Sequence, residues 1–389
     1  MSKRISITRQ FDYAAHDVAV GFYEAAIKLY GKDCLRGARN ERWFFYRDPF
    51  SINSSVKSSP TAHSRAVFGR VVVGNLPGTF FVVPNNNNLV LAEDVPNDAV
   101  PIVEKFLDAV QKHLECASIY RGQAVTTKGE FLDLTGVDEN DVVYNEKTKR
   151  ELKAHVWTII ENQDTCKSLG IELPRKILFD GPYGSGKTLA AMITAQKAAQ
   201  HNWTFIYISP TSAQKERAPL SEVMNFAKYY DKPGAVVFIE DIDREQHDRD
   251  QYYLGSIVNA IDGIASKTSR VLFIMSTNHK DKIVAAMQRP GRIDKVINFG
   301  AYTAEDRKNL LTKVVPLHML DKTINWPEVG LSCEGFPPAF VKEMGRSAML
   351  FALSENKKSP VVTTEMLVEA ATGLQGQFKA ASEALGFNK

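Results

Sequence analysis

The sequence predicts an α/β fold in which a parallel sheet is covered by helices on both faces, with an α+β module before it and an all-helical part after it. Short apolar runs alternate with helical segments between about residues 176 and 299, and such alternation is typical of parallel sheets. A glycine-rich loop joins one of these runs to a helix start. From Thr303 the strand-like runs stop and three helical segments follow.

The α/β region begins with a helix and continues as alternating strands and helices. Asn145 has the side chain of a helix N-cap, and apolar residues at helical spacing continue to about Leu169, where Gly170 follows. Short apolar runs predict strands, and longer amphipathic segments predict helices. The predicted strands cover 177–179, 204–209, 235–239, 271–276 and 296–299, and the predicted helices cover 146–169, 220–230 and about 254–261.

The C-terminal part is predicted to be helical throughout. Residues 303–306 read Thr-Ala-Glu-Asp, a sequence typical of a capped helix N-terminus. This first helix should end near Pro316, and two more are predicted at about 338–355 and 364–385.

The first 135 residues predict an α+β module. Apolar residues at helical spacing between Tyr13 and Leu29, with Gly31 after them, predict a helix. No chemical motif is recognisable in the module. Strands are predicted at 67–73, 79–83, 89–92, 118–125 and 130–134, and an amphipathic helix at 98–116.

A basic and aromatic run lies between Arg36 and Arg47. Basic residues beside aromatic ones are typical of surfaces that bind single-stranded nucleic acid. An aromatic anchor that packs on the next domain while its arginines stay solvated fits the same residues. Both interpretations stay open at this point.

Composition excludes several classes of protein. Of the 389 residues, 44% are hydrophobic and 24% charged, as in globular proteins with two or three domains. A net charge of +3 is too small to indicate nucleic-acid binding by itself. The four cysteines form no C-x-x-C pair, which argues against a zinc site or a disulfide framework. Neither a signal peptide nor a run of ~20 apolar residues is recognisable, so we expect a soluble, cytoplasmic protein without membrane insertion.

Residues 181–188 read Gly-Pro-Tyr-Gly-Ser-Gly-Lys-Thr and fit the pattern G-x-x-x-x-G-K-[ST] between a strand and a helix. Glycines let successive backbone N–H groups face a phosphate, and the helix N-terminus adds partial positive charge. The lysine suits the outer phosphates of a nucleoside triphosphate, and the threonine hydroxyl suits Mg²⁺. The predicted nucleotide contacts are Gly181, Pro182, Tyr183, Gly184, Ser185, Gly186, Lys187, Thr188 and Leu189.

Two predicted strand ends carry the polar side chains that a Mg²⁺–triphosphate site needs. Glu240 and Asp241 come directly after the strand predicted at 235–239. One acid would orient water on the metal, and the other would polarise the attacking water. Asn278 follows the strand at 271–276, and a neighbouring parallel strand would direct its amide at the same space.

A further pair of charged residues lies on a Pro-Gly turn. Arg289 and Arg292 flank the turn in the sequence Arg-Pro-Gly-Arg-Ile-Asp. A rigid turn can present guanidinium groups to a neighbouring subunit, whereas an ordinary turn would leave both arginines solvated.

Together these motifs resemble those of the AAA+ ATPase family over about residues 141–385. Residues 181–188 are similar to its Walker A motif, 238–243 to Walker B, 276–278 to sensor 1, and 289–294 to the second region of homology of the AAA subgroup proper. The resemblance implies ATP and Mg²⁺ as cofactors, an adenine contact near Val143 and a C-terminal lid. It also implies a homo-oligomeric ring, usually a hexamer, in which Arg289 and Arg292 complete the site of the next subunit.

Four departures from the family pattern bear on function. The acids stand in the order Glu240, Asp241, as in the branch that includes the mitochondrial translocator of the Rieske iron–sulfur protein. This order implies that Glu240, with Thr188, serves the metal and that Asp241 orients water. Segment 210–219 has no aromatic pore-loop residue, and residues 337–339 read Pro-Pro-Ala with no sensor-2 arginine apparent there. The N-terminal module matches neither a double-barrel domain nor a membrane anchor.

We therefore expect an N-terminal adaptor over residues 1–135, a nucleotide-binding domain over 136–302 and a helical lid over 303–389. The expected function is a ring-forming ATPase that couples hydrolysis to remodelling or assembly of a macromolecular partner, with a protein as client. A nucleic-acid-associated motor or loader, and a nucleotide-gated switch with slow turnover, are the alternatives. The predicted catalytic residues are Glu240, Asp241, Asn278, Arg289 and Arg292.

Overall fold

The computed structural model describes residues 3–37, 51–82, 89–139, 143–171, 173–208, 220–242, 270–278, 292–300 and 302–384. Within these ranges the chain forms two six-stranded sheets and a C-terminal group of helices. The predicted fold class is confirmed. The helix predicted near 254–261, Arg289, segment 210–219 and the basic and aromatic run beyond Gly37 lie outside the described residues.

The N-terminal sheet is antiparallel and carries two helices. Its order is β1–β6–β5–β4–β2, with β3 paired to β4. Alternate residues along β5 are buried, because one face of the sheet packs on the helices. Phe22, Phe80 and Phe106 form an aromatic cluster there, with ring centroids 5.1–5.7 Å apart. The elements are β1 Arg4–Gln10, α1 Ala15–Tyr30, β2 Leu35–Gly37, β3 Ser51–Lys57, β4 His63–Val73, β5 Thr79–Val82, β6 Leu89–Pro96 and α2 Val100–Ala117.

The second sheet is parallel throughout, in the order β12–β8–β11–β10–β9–β7. Its strands are β7 Ala124–Thr126, β8 Arg175–Asp180, β9 Thr204–Ile208, β10 Ala235–Ile239, β11 Val271–Thr277 and β12 Lys295–Asn298. Along β10, Val236 and Phe238 face a core shared with helix α6, Lys187–Gln200. Val237 and Ile239 face the other core, which contains the N-terminal module and helix α7, Leu220–Tyr229. Burial on both faces explains why the central strands are uninterrupted apolar runs.

The short strand β7 joins the parallel sheet, pairing with β9 in the register Ala124 to Phe205. It lies on the N-terminal side of the domain boundary expected at residue 135, and that boundary stays a prediction. The strand predicted at 130–134 is wrong, because only Phe131 pairs, in an isolated bridge to Val125. Leu132 and Leu134 instead pack against the core beside α6.

The single helix predicted over 146–169 is interrupted. It consists of α3 Glu146–Leu152, a π-helical turn Lys153–Trp157, α4 Thr158–Glu161 and α5 Gln163–Ser168. Asn162 interrupts the helix between α4 and α5, with φ −131° and ψ 42°. At the π-turn, the indole N–H of Trp157 donates to Thr194 Oγ1 at 3.1 Å, which attaches the turn to helix α6.

The C-terminal helices have a core of their own. Thr303 and Asp306 cap each other's backbone N–H as predicted. The helix Trp326–Ser332 was not predicted, because it has only seven residues and includes a proline. The helices are α8 Ala304–Val314, α9 Trp326–Ser332, α10 Pro338–Glu355 and α11 Thr364–Ala384. Among the helices of the described ranges, none combines the length and the apolar character that crossing a bilayer requires.

Candidate active site

The glycine-rich loop lies between the carboxyl end of β8 and the start of α6. Gly184 and Gly186 have φ of +72° and +96°, a region that other residues rarely adopt. A Cβ on Gly186 would lie 3.1 Å from the ring of Tyr144, whose hydroxyl donates to the Gly186 carbonyl at 2.9 Å. Leu189, in the first turn of α6, is half-buried against the core. The loop is therefore a tight cradle that only glycines fit at these points.

Two polar groups of the loop point to an anionic ligand. Ser185 Oγ is buried and has no hydrogen-bond partner among the described residues. The buried ammonium of Lys187 donates to the carbonyls of Gly181 at 2.6 Å and Pro182 at 2.9 Å. It also lies 6.0 Å from the ring centroid of Tyr183. An orphaned hydroxyl and a cation at a helix N-terminus fit the phosphates of a nucleotide.

Glu240 directly follows β10, and both of its carboxylate oxygens accept hydrogen bonds. The hydroxyl of Thr188 donates to Oε1, and the hydroxyl of Tyr207 donates to Oε2. Burial, and then the hydrogen bond to Glu240, raise the pKa of Tyr207, so its hydroxyl stays protonated. A threonine hydroxyl beside a carboxylate is the oxygen donor set that Mg²⁺ prefers, so these residues fit that metal.

Asp241 turns away from its neighbour Glu240. Its φ of +47° is unusual for a residue other than glycine and turns the chain just beyond β10. The turn is held because its backbone N–H donates to Ser276 Oγ at 2.9 Å. Consecutive carboxylates therefore reach different partners, since Asp241 Oδ1 accepts from the Asn278 amide at 2.9 Å.

Asn278 links the acid to the phosphate loop. Its Oδ1 accepts from Lys187 Nζ at 2.7 Å while its Nδ2 contacts Asp241. The side chain is 7% exposed, so both contacts are largely shielded from solvent. The structure thus brings together Lys187, Asn278 and Asp241, beside Thr188 and Glu240.

The Arg292 segment lies at the opposite end of β8 from the phosphate loop. Asp294 binds the start of that strand twice: its carboxylate accepts from the Lys176 N–H, and its own N–H donates to the Lys176 carbonyl, both at 2.8 Å. β12 then runs parallel to β8 toward the loop. Arg292, two residues before Asp294, is partly exposed.

Comparison with known proteins agrees with this arrangement. Residues 177–301 match the family model described as "ATPase family associated with various cellular activities (AAA)". The chain contains an AAA ATPase domain. Such a domain implies binding and hydrolysis of ATP.

The relatives that this chain matches are distant. It is 28% identical to the cell division control protein 48 homolog B of Arabidopsis thaliana, over 58% of this chain and 40% of the relative. It is 29% identical to the 26S proteasome regulatory subunit 6A of Saccharomyces cerevisiae, over 61% and 56%. The proteasome-activating nucleotidase of Sulfurisphaera tokodaii is 26% identical over 75% of each chain. This chain therefore spans only about half the length, or less, of the Arabidopsis and yeast relatives.

Two tyrosines lie beside Val143, where the adenine contact is expected. The hydroxyl of Tyr302 donates to the carbonyl of Val143 at 2.7 Å and lies 3.5 Å from the carbonyl of Ser185. Tyr144 stacks edge-on against Phe299, with ring centroids 5.5 Å apart. Burial raises the pKa of both Tyr302 and Tyr144, so both hydroxyls remain neutral donors.

The helical part contacts the phosphate loop directly. The backbone N–H of Ala339, in the first turn of α10, donates to the Gly184 carbonyl at 3.2 Å. A Cβ on Gly184 would lie 2.7 Å from Ala339 Cβ. The Pro-Pro-Ala departure from the family pattern is therefore the point where the helices meet the loop.

Sequence reasoning missed Tyr207 and Tyr302, and it gave no contact to Ala339 although it singled out residues 337–339. Tyr207 lies on a strand with no motif, and its relation to Glu240 depends on the register between two strands. Tyr144 lies within residues 141–145, the stretch where the family resemblance implies the adenine contact.

Proposed function

We propose that the protein is a ring-forming ATPase that couples hydrolysis of ATP to the remodelling or assembly of a protein partner. The observation that carries the proposal is the connected set Lys187–Asn278–Asp241 beside Thr188 and Glu240. It combines a phosphate cradle, an oxygen donor pair for a metal and a second carboxylate held apart from the first.

The proposed roles follow from these contacts. Thr188 and Glu240 would hold Mg²⁺, which when bound offsets the negative charge of the phosphates. Lys187 would contact the outer phosphates, and Ser185 would offer a hydroxyl that has no hydrogen-bond partner among the described residues. Asp241 polarises the attacking water, and Asn278 fixes the direction of that carboxylate. The order of the two acids supports a relationship to the Rieske-protein-translocator branch.

A ring accounts for the position of Arg292. Arg292 stands two residues before Asp294, which pairs with the end of β8 opposite the phosphate loop, and from there a guanidinium could face the site of a neighbouring copy. We assign the same role to Arg289. Each complete ATPase site would then need two subunits, as in a closed, usually hexameric, assembly.

The client is proposed to be a protein, selected by an adaptor over residues 1–135. The nucleotide-binding domain would cover residues 136–302 and the lid 303–389. Two of the relatives are named as a proteasome subunit and a proteasome-activating nucleotidase. Those names belong to those proteins and support a protein client here by analogy.

The test combines turnover with capture of the partner. Purified protein should release phosphate from ATP with Mg²⁺, and Lys187→Ala should abolish the release. Asp241→Asn should bind ATP, turn over slowly and retain a partner protein in a pull-down. No release by the wild-type protein at any concentration would overturn the proposal. Stimulation by single-stranded DNA, lost when Arg39 and Arg42 are both replaced by alanine, would favour the nucleic-acid motor instead.

A further inference from the structure

We propose that Tyr207 is a positioning residue that holds the Glu240 carboxylate in the orientation needed for the metal. The proposal rests on the ATPase function proposed above. It extends the site to a strand that carries none of the recognised motifs.

The register between β9 and β10 makes the contact possible. Tyr207 pairs with Phe238 in the parallel ladder, and the Glu240 N–H continues the pairing by donating to the Ile208 carbonyl at 3.1 Å. Glu240 lies two residues beyond Phe238, so it is on the same side of the sheet as Tyr207. A diagonal pair on one face is within reach of a long aromatic side chain.

The ring of Tyr207 is itself fixed. It stacks on the ring of Phe238 with centroids 5.9 Å apart and an interplanar angle of 25°. Phe238 is fully buried, so it forms a rigid support. The hydroxyl therefore reaches Glu240 from a defined point.

The order of the acids explains why such a support is useful here. Glutamate has one more rotatable bond than aspartate, and it stands where the family pattern has the shorter side chain. Thr188 holds only Oε1, which leaves the carboxylate free to rotate about that contact. The hydrogen bond from Tyr207 to Oε2 fixes the second oxygen. Two donors at two oxygens define the plane of the carboxylate.

The test measures metal binding rather than turnover alone. Binding of Mn²⁺ to the protein with a non-hydrolysable ATP analogue is followed by electron paramagnetic resonance. Tyr207→Phe keeps the ring and removes the donor, and we expect it to weaken Mn²⁺ binding about tenfold, the scale of one hydrogen bond to a charged group. Affinity for the analogue in EDTA should stay as in the wild-type protein. Tyr23→Phe is the control, since its hydroxyl accepts from Arg65 in the N-terminal module.

A double-mutant cycle separates positioning from a general structural role. In a Glu240→Asp background the carboxylate is too short to meet the hydroxyl, so adding Tyr207→Phe should change Mn²⁺ affinity less than twofold. An equal loss in both backgrounds, or unchanged Mn²⁺ affinity in Tyr207→Phe alone, would overturn the proposal. Melting temperatures of all variants verify folding. A wild-type protein that binds no nucleotide would instead refute the proposed function itself.

Discussion

The hydroxyl of Tyr230 donates to Asp17 Oδ2 at 3.0 Å and joins two parts of the chain that lie 213 positions apart. Asp17 is in the first turn of α1, and Tyr230 directly follows α7. The same carboxylate accepts from Ser118 Oγ at 2.5 Å and from the Ile119 N–H at 3.0 Å. A single buried acid thus connects the N-terminal helix, the segment before β7 and the layer that covers the parallel sheet.

This junction predicts a pH-dependent stability. Burial raises the pKa of Asp17 to about 6 from 3.8, although its hydrogen bonds and Arg121 act in the opposite direction. The folded protein therefore binds a proton more tightly than the unfolded chain does. The resulting stabilisation is complete below about pH 4 and is lost as the pH rises through about 6. Its size is on the order of 2–3 kcal/mol.

The measurement is the free energy of unfolding in urea at several pH values. We expect the free energy of unfolding of the wild-type protein to fall between pH 4 and pH 7, relative to that of Asp17→Asn, whose side chain cannot ionise. Asp12→Asn is the control, because Asp12 is exposed and lies just before α1. Its free energy of unfolding should depend on pH as that of the wild-type protein does. A constant difference between wild type and Asp17→Asn across this range would contradict the assignment.

A second prediction concerns Asn278. Replacing it with alanine removes the bridge between Lys187 and Asp241, so the second carboxylate loses its direction. We expect phosphate release to fall on the order of 10²-fold or more, the scale of a lost acid–base contribution. Affinity for a fluorescent ATP analogue should change much less. Parallel losses in affinity and turnover would mean that Asn278 supports the loop rather than Asp241.

A third prediction concerns the contact between the phosphate loop and the helical part. Gly184→Ala places a methyl group 2.7 Å from Ala339 Cβ and forces alanine to adopt φ +72°. We expect weaker nucleotide binding, measured by fluorescence titration, because the loop must shift. Gly373→Ala is the matched control, since nothing lies within 4 Å of its Cβ in the middle of α11. That change should leave binding intact and stabilise the protein by up to about 1 kcal/mol.

Local patterns explain what could be predicted from the sequence. The strand at 177–179, the loop after it and the acids after 235–239 are each encoded within a few neighbouring residues. Tyr207 could not be found, because its partner is set by the register of β9 against β10. The strand predicted at 118–125 is present only at its end, as β7 Ala124–Thr126, and its place in the parallel sheet could not be predicted because its partner β9 is distant in the sequence. The break at Asn162 was missed because apolar spacing continues through the π-turn before it.

The last prediction concerns the neighbouring subunit. Arg292 is held at the far end of β8 by the pairing of Asp294 with Lys176, so Arg292→Ala should damage only the site of the next copy in a ring. An arginine supplied in this way contributes about 10³–10⁵ in rate. Mixing Arg292→Ala subunits with Asp241→Asn subunits should therefore release phosphate faster than either variant alone. In mixed rings, a site with an intact Asp241 can receive an intact Arg292 from its neighbour. Arg9→Ala, which removes a surface charge of the N-terminal sheet, is the control for the mixing procedure. A mixture that releases phosphate no faster than the weighted mean of the two variants would show that each chain hydrolyses ATP alone.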